Sequence, residues 1–347
     1  MTWMVYGAYG YTGRLVAALA AERGEQPVLA GRDEERLARL GELLELEHVC
    51  FDLSDQAAAR RALESVDAVA HCAGPFSATA RPMVDACLAT GTHYLDITGE
   101  IDVFEDLLAR DEEAKAAGVA LLPGSGFDVV PSDCLAAMLA HELPGATSLA
   151  LAIRMSGGPS PGTAKTMVES IGLASRARVG GVIGRVPPQR RRRRVPFITG
   201  ASPAIAIAWG DVSTAYHSTG IGDITVYAAL PRGAAPLAGL LGLAGPVART
   251  RTMQGPLRLL AGRMRGPTAQ TRSKSLGEVW GEAMAPDGTR TCGSVTTGNG
   301  YDLTSDSVVR IATLLAAGKV EPGASTPSSA LGADFVRQLD GVAVQRL

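Results

Sequence analysis

Short apolar runs and amphipathic segments alternate through the first third of the chain. The apolar runs predict strands at residues 3–6, 28–30, 48–53, 68–72, 93–97 and 119–122. The segments between them predict helices at residues 13–23, 33–46, 56–64, 82–90 and 103–117. Strands that alternate with helices at this spacing predict βαβ units and a parallel sheet.

The pattern changes after about residue 144. Further apolar runs predict strands at residues 148–155, 204–208, 223–230, 274–285 and 290–297. A turn signal, Pro286-Asp287-Gly288, separates the last two. This succession is typical of a mostly antiparallel sheet. Residues 303–317 are again helical in pattern and resemble the first part of the chain.

Three glycines lie between the first predicted strand and the first predicted helix, in Gly7-Ala8-Tyr9-Gly10-Tyr11-Thr12-Gly13. In such a GxxGxxG loop the first glycine permits a tight turn and the second lets the backbone approach a pyrophosphate. The third lets the helix pack closely on the strand, so that the phosphates meet the helix N-terminus. Because more βα units follow, the sequence predicts a dinucleotide site in a Rossmann-type domain.

The end of the second predicted strand favours NADP over NAD. An NAD site usually places Asp or Glu here on the ribose 2′-hydroxyl, whereas this chain has Gly31-Arg32. The Arg32 guanidinium can pair with a 2′-phosphate, and Arg14 in the first helix can add a second charge. The alternative is that Asp33 contacts the ribose and the cofactor is NAD.

Residues at the ends of the third and fourth predicted strands complete the expected site, because ligands of open α/β sheets bind at the carboxyl ends of the strands. Asp52 and Leu53 are expected near the adenine, although Asp52 could instead cap a helix or turn. The backbone of Cys72 and its neighbours is expected near the nicotinamide ribose. The predicted cofactor-binding residues are Gly7, Tyr9, Gly10, Tyr11, Thr12, Gly13, Arg14, Gly31, Arg32, Asp52, Leu53, Cys72, Ala73 and Gly74.

Together with the glycine loop, several motifs resemble the saccharopine dehydrogenase-like oxidoreductases, and in particular the branch that includes the mycobacterial trans-acting enoyl reductases. They are Gly31-Arg32, Gly74-Pro75-Phe76, YLDITGE at 94–100, GFDVVPSD at 126–133, Gly162-Thr163 and TPSSALG at 326–332. The resemblance runs nearly end to end and is far more specific for fold and cofactor than for substrate. Tyr9 departs from the threonine more usual in the family, and its phenol would crowd the phosphate loop unless it points outward.

The resemblance implies a Rossmann domain with an inserted domain for substrate and dimer contacts. The predicted fold class is α/β, with an N-terminal Rossmann-type parallel sheet and an inserted α+β domain on a mostly antiparallel sheet. We expect an NADP-binding domain at residues 1–143, the inserted domain at 144–300, and a C-terminal helical return to the Rossmann domain at 301–347.

Candidate proton donors cluster at two predicted strand ends. Hydride transfer belongs to the cofactor, so the protein must supply orientation and a proton. Asp96 and Glu100 follow one strand and Asp128 the other, and each could handle a proton if burial raised its pKa. Lys165, after a Gly- and Pro-rich run, is a further candidate. The alternative is that the carboxylates cap turns and helices and that Lys165 lies on a solvated face. No metal-ligand cluster is visible.

The net charge of −2 conceals an uneven distribution. Residues 172–277 carry 16 Lys and Arg against two Asp, including five consecutive arginines at 190–194. Such a run indicates a solvated loop, or a contact with an anionic carrier such as coenzyme A or an acyl carrier protein. Without interleaved aromatics, nucleic acid is not expected. The apolar stretch at 234–247 is too short to span a bilayer and favours a homodimer interface or acyl channel over peripheral membrane contact.

Five cysteines without a CxxC pair, and no visible secretory signal, indicate a cytoplasmic protein, with a position peripheral to the membrane as an alternative. The leading hypothesis is an NADP-dependent oxidoreductase that reduces an activated C=C bond of an enoyl thioester. The alternatives are a saccharopine-type imine or amino-acid dehydrogenase and a membrane-associated NADP-binding protein without turnover.

Overall fold

The chain divides into two compact units, each assembled from segments distant in sequence. The structure is a computed structural model that describes residues 2–160, 162, 164, 175–230 and 266–347. The first unit comprises Met1–Cys134 with Gly300–Gly341, and the second comprises Leu135–Asn299 with Val342–Leu347.

The sixteen described strands include counterparts of all eleven that the sequence pattern predicted and five that it did not predict. In chain order they are β1 (Trp3–Tyr6), β2 (Val28–Gly31), β3 (His48–Cys50), β4 (Ala68–His71), β5 (His93–Asp96), β6 (Ala120–Leu122), β7 (Ser148–Met155), β8 (Arg176–Val179), β9 (Val182–Arg185), β10 (Arg192–Val195), β11 (Ser202–Ala206), β12 (Asp223–Ala229), β13 (Gly277–Met284), β14 (Arg290–Thr297), β15 (Gly323–Ala324) and β16 (Ala343–Arg346).

The described helices separate these strands, most of all in the first unit. In chain order they are α1 (Tyr11–Glu22), α2 (Glu34–Leu44), α3 (Gln56–Leu63), α4 (Phe76–Thr90), α5 (Ile101–Leu108), α6 (Asp111–Ala117), α7 (Val130–Glu142), α8 (Asp211–Thr219), α9 (Ala269–Ser273), α10 (Gly300–Ala316) and α11 (Pro327–Leu331). Two 3-10 turns cover Pro188–Arg190 and Ala333–Gln338.

A parallel sheet forms the centre of the first unit. Its strand order is β15-β6-β5-β4-β1-β2-β3, and every pair is parallel. The central strands β1 and β4 are buried along their whole length, as expected where helices cover both faces. Strand order reverses around β1, which creates the crevice where open α/β sheets bind ligands. The predicted Rossmann-type sheet is confirmed.

Helix boundaries in the first unit differ from the pattern chiefly at two places. Helix α4 begins at Phe76 and not at residue 82, with Pro82 inside it. The single helix expected at residues 103–117 is two helices, α5 and α6, which are interrupted at Ala109 and Arg110. The Arg110 guanidinium binds Asp85 and Glu113, at 2.7 Å each. This local ion pairing accompanies a break that apolar spacing did not reveal.

A second, mixed sheet forms the centre of the second unit. Its strand order is β10-β11-β12-β7-β13-β14-β16, with β8 paired to β12 and β9 paired to β8. The pair β12–β7 is parallel and the others are antiparallel. The expectation of a mostly antiparallel sheet is confirmed.

Helix α7 packs on this sheet at two glycines. Leu135 and Leu139 lie over Gly281 of β13 and Gly293 of β14, and a Cβ added at Gly281 would come within 2.7 Å of the Leu139 side chain. The glycines therefore provide the space that two leucines fill, and the close approach depends on their lack of a side chain.

The run of arginines at 190–194 is not the solvated loop that its charge suggested. It is a 3-10 turn followed by strand β10, which pairs with β11. Arg190 forms an ion pair with Asp223 at 2.6 Å and Arg193 with Glu282 at 2.7 Å. The segment is therefore held by strand pairing and by distant carboxylates and is not a loop, although Arg191, Arg192 and Arg194 are exposed as their charge predicted.

The C-terminal segment divides between the two units. Helix α10 packs against α1 and β15 extends the parallel sheet beside β6, whereas β16 pairs antiparallel with β14. Residues 301–347 were expected to return as one piece to the Rossmann domain, but the last strand completes the edge of the second sheet. The apolar stretch at 234–247 lies outside the described residues.

Candidate functional site

The glycine loop forms a tight connection between β1 and α1. Gly7 has φ +83°, a left-handed conformation that favours glycine. The N–H groups of Gly7 and Ala8 both donate to the Ala30 carbonyl, at 2.8 and 3.1 Å, and Gly10 N–H donates to the Gly7 carbonyl at 2.9 Å. The loop is therefore tied to the end of β2 before it enters the helix.

Helix α1 begins without a side-chain cap and without an acidic residue in its first turn. Gly10 is the N-cap residue, and Tyr11, Thr12 and Gly13 form the first turn. The positive end of this helix lies at the carboxyl end of β1, where its N–H groups can bind the phosphates of a dinucleotide. Arg14 follows as an exposed side chain.

The end of β4 packs directly on the glycine loop. A Cβ added at Gly7 would lie 2.8 Å from the Ala73 Cβ, so only glycine permits this approach. Cys72 N–H donates to the Tyr6 carbonyl at 2.8 Å. Burial raises the pKa of the Cys72 thiol to about 12, which leaves its backbone and that of Gly74 as the groups suited to contact a cofactor.

Tyr9 points out of the phosphate loop toward the end of β2. Its hydroxyl accepts the Arg32 N–H at 3.3 Å, and its ring lies so close to Gly31 that a Cβ there would meet it at 2.7 Å. The crowding of the phosphate loop is thereby avoided. Asp33 accepts the Arg36 N–H at 3.1 Å as the N-cap of α2. Its carboxylate is thus engaged in the role that competes with a ribose contact.

Arg36 belongs to this corner of the site, although its position in the sequence did not draw attention to it. Its guanidinium lies 4.5 Å from the centre of the Tyr9 ring and donates to the Tyr9 carbonyl at 3.4 Å. The only signal was its place in the first turn of the helix after Arg32, and that signal is weak without knowledge of where Tyr9 points.

The end of β3 brings Asp52 and Leu53 to the same corner. Asp52 accepts from both the N–H and the hydroxyl of Ser54, at 2.8 and 2.7 Å, and these hydrogen bonds lower its pKa. Tyr6 beneath has its pKa raised to about 12 by burial and by the charges of Asp52 and Tyr9. Asp52 therefore stabilises a turn, which is the alternative to contact with the adenine that the sequence left open.

Asp96 joins the loops that follow β5 and β6. Its buried carboxylate accepts the Tyr94 hydroxyl at 2.7 Å, the Thr98 N–H at 3.0 Å and the Gly124 N–H at 2.8 Å. Burial raises the pKa of Asp96 to about 6 against the opposing effect of these donors. Asp96 therefore positions two strand-end loops.

Glu100 holds the start of α4. Its two carboxylate oxygens accept the N–H groups of Phe76 and Ser77, at 3.0 Å each. The charge of Glu100 is therefore opposed to the N-terminus of a helix, an arrangement that stabilises both.

Asp128 lies against Gly99, the residue that precedes Glu100. A Cβ added at Gly99 would stand 3.2 Å from the Asp128 carboxylate. Burial alone raises the pKa of Asp128 to about 6, so this carboxyl changes protonation near neutral pH. Three of the four predicted proton-handling residues, Asp96, Glu100 and Asp128, are thus located in the loops that follow the strands of the first unit. The fourth, Lys165, lies outside the described residues.

Tyr301 is a second residue that the sequence did not reveal. It stands in the first turn of α10, and its ring meets the Tyr11 ring edge-on with centroids 4.9 Å apart. Thr304 of the same helix accepts the Phe127 N–H at 3.0 Å. The C-terminal helix therefore reaches both the phosphate loop and the loop that carries Asp128.

The described residues were also compared with the requirements of a metal site and of a membrane-spanning helix. Within the described residues, no group of three His, Cys, Asp or Glu side chains has the arrangement of a metal site. In the same part of the chain, no helix is both long and apolar enough to cross a bilayer.

Comparison with known proteins agrees with this geometry. Residues 3–122 match the family model described as the saccharopine dehydrogenase NADP binding domain. The saccharopine dehydrogenase-like oxidoreductase of Bos taurus is 27% identical over 195 residues, which are 49% of this chain and 46% of that protein. The trans-acting enoyl reductase of Mycobacterium leprae is 33% identical over 138 residues, 38% of this chain and 33% of that protein. The matched stretches span less than half of each relative.

A solved structure extends the likeness to the whole fold. Saccharopine dehydrogenase (L-Glu forming) from Saccharomyces cerevisiae superposes with a TM-score of 0.67 at 12% identity, over 100% of this chain and 99% of that one. At this identity the likeness shows the fold alone.

The loop, the strand ends and the family model define the first unit as an NADP-binding Rossmann domain. In this domain the chain is similar to the saccharopine dehydrogenase-like oxidoreductases, the resemblance that its motifs had indicated. NADP as cofactor is confirmed by the same match.

Proposed function

We propose that this protein is an NADP-dependent oxidoreductase that reduces an activated C=C bond in an enoyl thioester. The observation that carries the proposal is the position of Asp128, a buried carboxyl with a pKa near 6, on the carboxyl edge of the sheet that bears the NADP loop. Such a group can deliver a proton at neutral pH.

Each part of the edge has a task in this reaction. The bound cofactor supplies hydride, and the glycine loop orients it. Asp128 holds the proton at a carboxyl oxygen for transfer to the substrate carbon. Asp96 and Glu100 keep the surrounding loops in place through backbone N–H groups, so both are positioning residues.

The enoyl substrate class is favoured over an imine by the kind of relative found. The Mycobacterium leprae protein, 33% identical over the matched stretch, is named a trans-acting enoyl reductase. A saccharopine-type imine or amino-acid dehydrogenase is the second candidate, supported by the shared fold. A membrane-associated NADP-binding protein without turnover is the third.

The substrate test follows NADPH absorbance with the purified full chain. We expect oxidation with 2-enoyl thioesters of coenzyme A or of a carrier protein, and none with a 2-oxo acid plus an amino acid. Asp128→Asn should lower kcat roughly 100-fold, whereas Glu42→Gln, at an exposed carboxylate, should leave it unchanged. Oxidation with only the imine mixture supports the second candidate. NADPH binding without turnover on any substrate supports the third.

We also propose a cytoplasmic homodimer that meets a carrier-bound acyl group. The arginine-rich segment supports an anionic contact, because Arg191, Arg192 and Arg194 remain exposed beside the two engaged arginines. Light scattering should give twice the chain mass, and flotation with anionic vesicles should leave the protein unbound. A monomer, or a protein that floats, contradicts this arrangement.

A further inference from the structure

We propose that Tyr9 and Arg36 form, with Arg32, the subsite for the adenosine 2′-phosphate, and that Tyr9 sets the preference for NADP by holding Arg36 in place. The inference deepens the proposed function, because it assigns residues to the cofactor that function requires. It depends on nucleotide recognition and not on which substrate is reduced.

The Tyr9 ring is fixed from below. It lies on the Cα of Gly31, and its hydroxyl accepts the Arg32 N–H at 3.3 Å. Any side chain at position 31 would collide with this ring at 2.7 Å. Tyr9 thus occupies the place beside the end of β2 from which an NAD-type carboxylate would reach the ribose.

Arg36 is held over the ring of Tyr9. Its guanidinium stands 4.5 Å from the ring centre, within the range of a cation–π contact. It also donates to the Tyr9 carbonyl at 3.4 Å. Both contacts come from one residue, so the direction of Arg36 depends on Tyr9.

The acidic neighbours of this corner have other partners. Glu34 binds His48 at 3.1 Å and Glu35 binds Arg39 at 3.3 Å. Asp33 caps α2 through the Arg36 N–H, and Asp52 accepts from Ser54.

The two guanidiniums therefore remain available to an anion. Within the described part of the chain, no carboxylate forms an ion pair with Arg32 or Arg36. Two exposed guanidiniums at one strand end have the chemistry that recognises a phosphate monoester. The ribose 2′-phosphate is the monoester that a dinucleotide brings to this strand end.

The test is calorimetric titration of the full chain with 2′,5′-ADP and with 5′-AMP, which differ only in the phosphate at issue. Arg36→Met should weaken 2′,5′-ADP at least about tenfold and 5′-AMP less than about twofold. Tyr9→Thr should weaken 2′,5′-ADP about fivefold, the factor that a cation–π contact of this kind supplies. Tyr9→Phe, which keeps the ring, should stay within about twofold of the parent.

Arg39→Met provides the matched control, since Arg39 is an exposed arginine of the same helix that pairs with Glu35. It should leave both affinities unchanged. In the double variant Tyr9→Thr with Arg36→Met, the loss should not exceed that of Arg36→Met alone, because Tyr9 acts through Arg36.

Three results would overturn the inference: unchanged 2′,5′-ADP affinity in Tyr9→Thr, equal losses for the two nucleotides in Arg36→Met, or independent losses in the double variant. Circular dichroism checks that each variant folds. If Tyr9→Thr does not fold, Arg36→Met still tests the subsite, because Arg36 lies on the surface. A chain that follows this pattern yet reduces no enoyl thioester retains the subsite and loses only the proposed substrate.

Discussion

Asp128 shows how a single buried carboxyl links pH to stability. Its pKa is about 6 in the folded protein against 3.8 for an ordinary carboxyl, because burial disfavours the charge. Below pH 4 the group is neutral in both folded and unfolded chains and carries no penalty. As pH rises through 6 the folded state must bury a charge, so the contribution of this group to stability is lost.

Asp128→Asn should therefore raise the free energy of unfolding at pH 8 by roughly 2 kcal/mol, with the gain disappearing toward pH 4. Urea denaturation at several pH values measures this. Asp287→Asn is the control, since Thr289 lowers the pKa of that exposed carboxyl and the substitution should bring no gain at pH 8. A gain that does not change with pH would contradict the argument.

Individual residues also mark where sequence reasoning stops. The glycine loop and Gly31-Arg32 were predictable because their roles depend on spacing along one strand, turn and helix. Glu100 caps a helix that starts 24 residues earlier, and Arg36 lies over a tyrosine 27 residues earlier. Neither contact leaves a periodic signal, because each depends on how separate βα units pack.

At the scale of elements, the packing of α7 on the second sheet depends on glycine. Gly281→Ala would press a methyl group against Leu135 and Leu139 and should destabilise the protein by roughly 1–3 kcal/mol. Gly184→Ala in β9 is the matched control, because a Cβ there meets nothing within 4 Å. Thermal unfolding of the two variants measures the difference in stability, and equal midpoints would exclude the packing role of Gly281.

The prediction of strands succeeded where one sequence pattern continues through the whole strand. Strands β7 and β14 have the bounds that the apolar runs predicted, 148–155 and 290–297. The arginine run was misjudged because β10 is held by partners far away in sequence, among them Glu282. Charge composition correctly predicted that Arg191, Arg192 and Arg194 are exposed, but it could not predict the ion pairs or the strand register.

At the scale of the whole molecule, the chain ends in the second unit after α10 and β15 have rejoined the first. Removal of residues 342–347 takes β16 from its only described partner strand, β14. We expect a loss of roughly 2 kcal/mol in the stability of the second unit, with NADPH affinity unchanged. Scanning calorimetry and nucleotide titration measure these, and removal of Leu347 alone serves as the milder control. A tenfold loss of NADPH affinity would contradict the assignment.

The fold-level prediction was strongest where segments are contiguous and weakest where the chain crosses between units. Helix α7 begins in one unit and ends in the other, so the boundary lies inside a helix and precedes the change of sequence pattern at about residue 144. The route of the last strand follows from an available sheet edge, which a linear pattern does not display.

The four helices that follow the first four strands differ in the charge at their N-termini. Asp33, Asp55 and Glu100 each place a carboxylate on the first amides of α2, α3 and α4, while α1 starts at Gly10 with none. A polyanion that approaches this edge of the sheet is repelled by the carboxylates at the N-termini of α2, α3 and α4. The N-terminus of α1 carries no such charge and can bind the polyanion. The phosphates therefore orient the long axis of the dinucleotide before either of its ring systems contacts the protein.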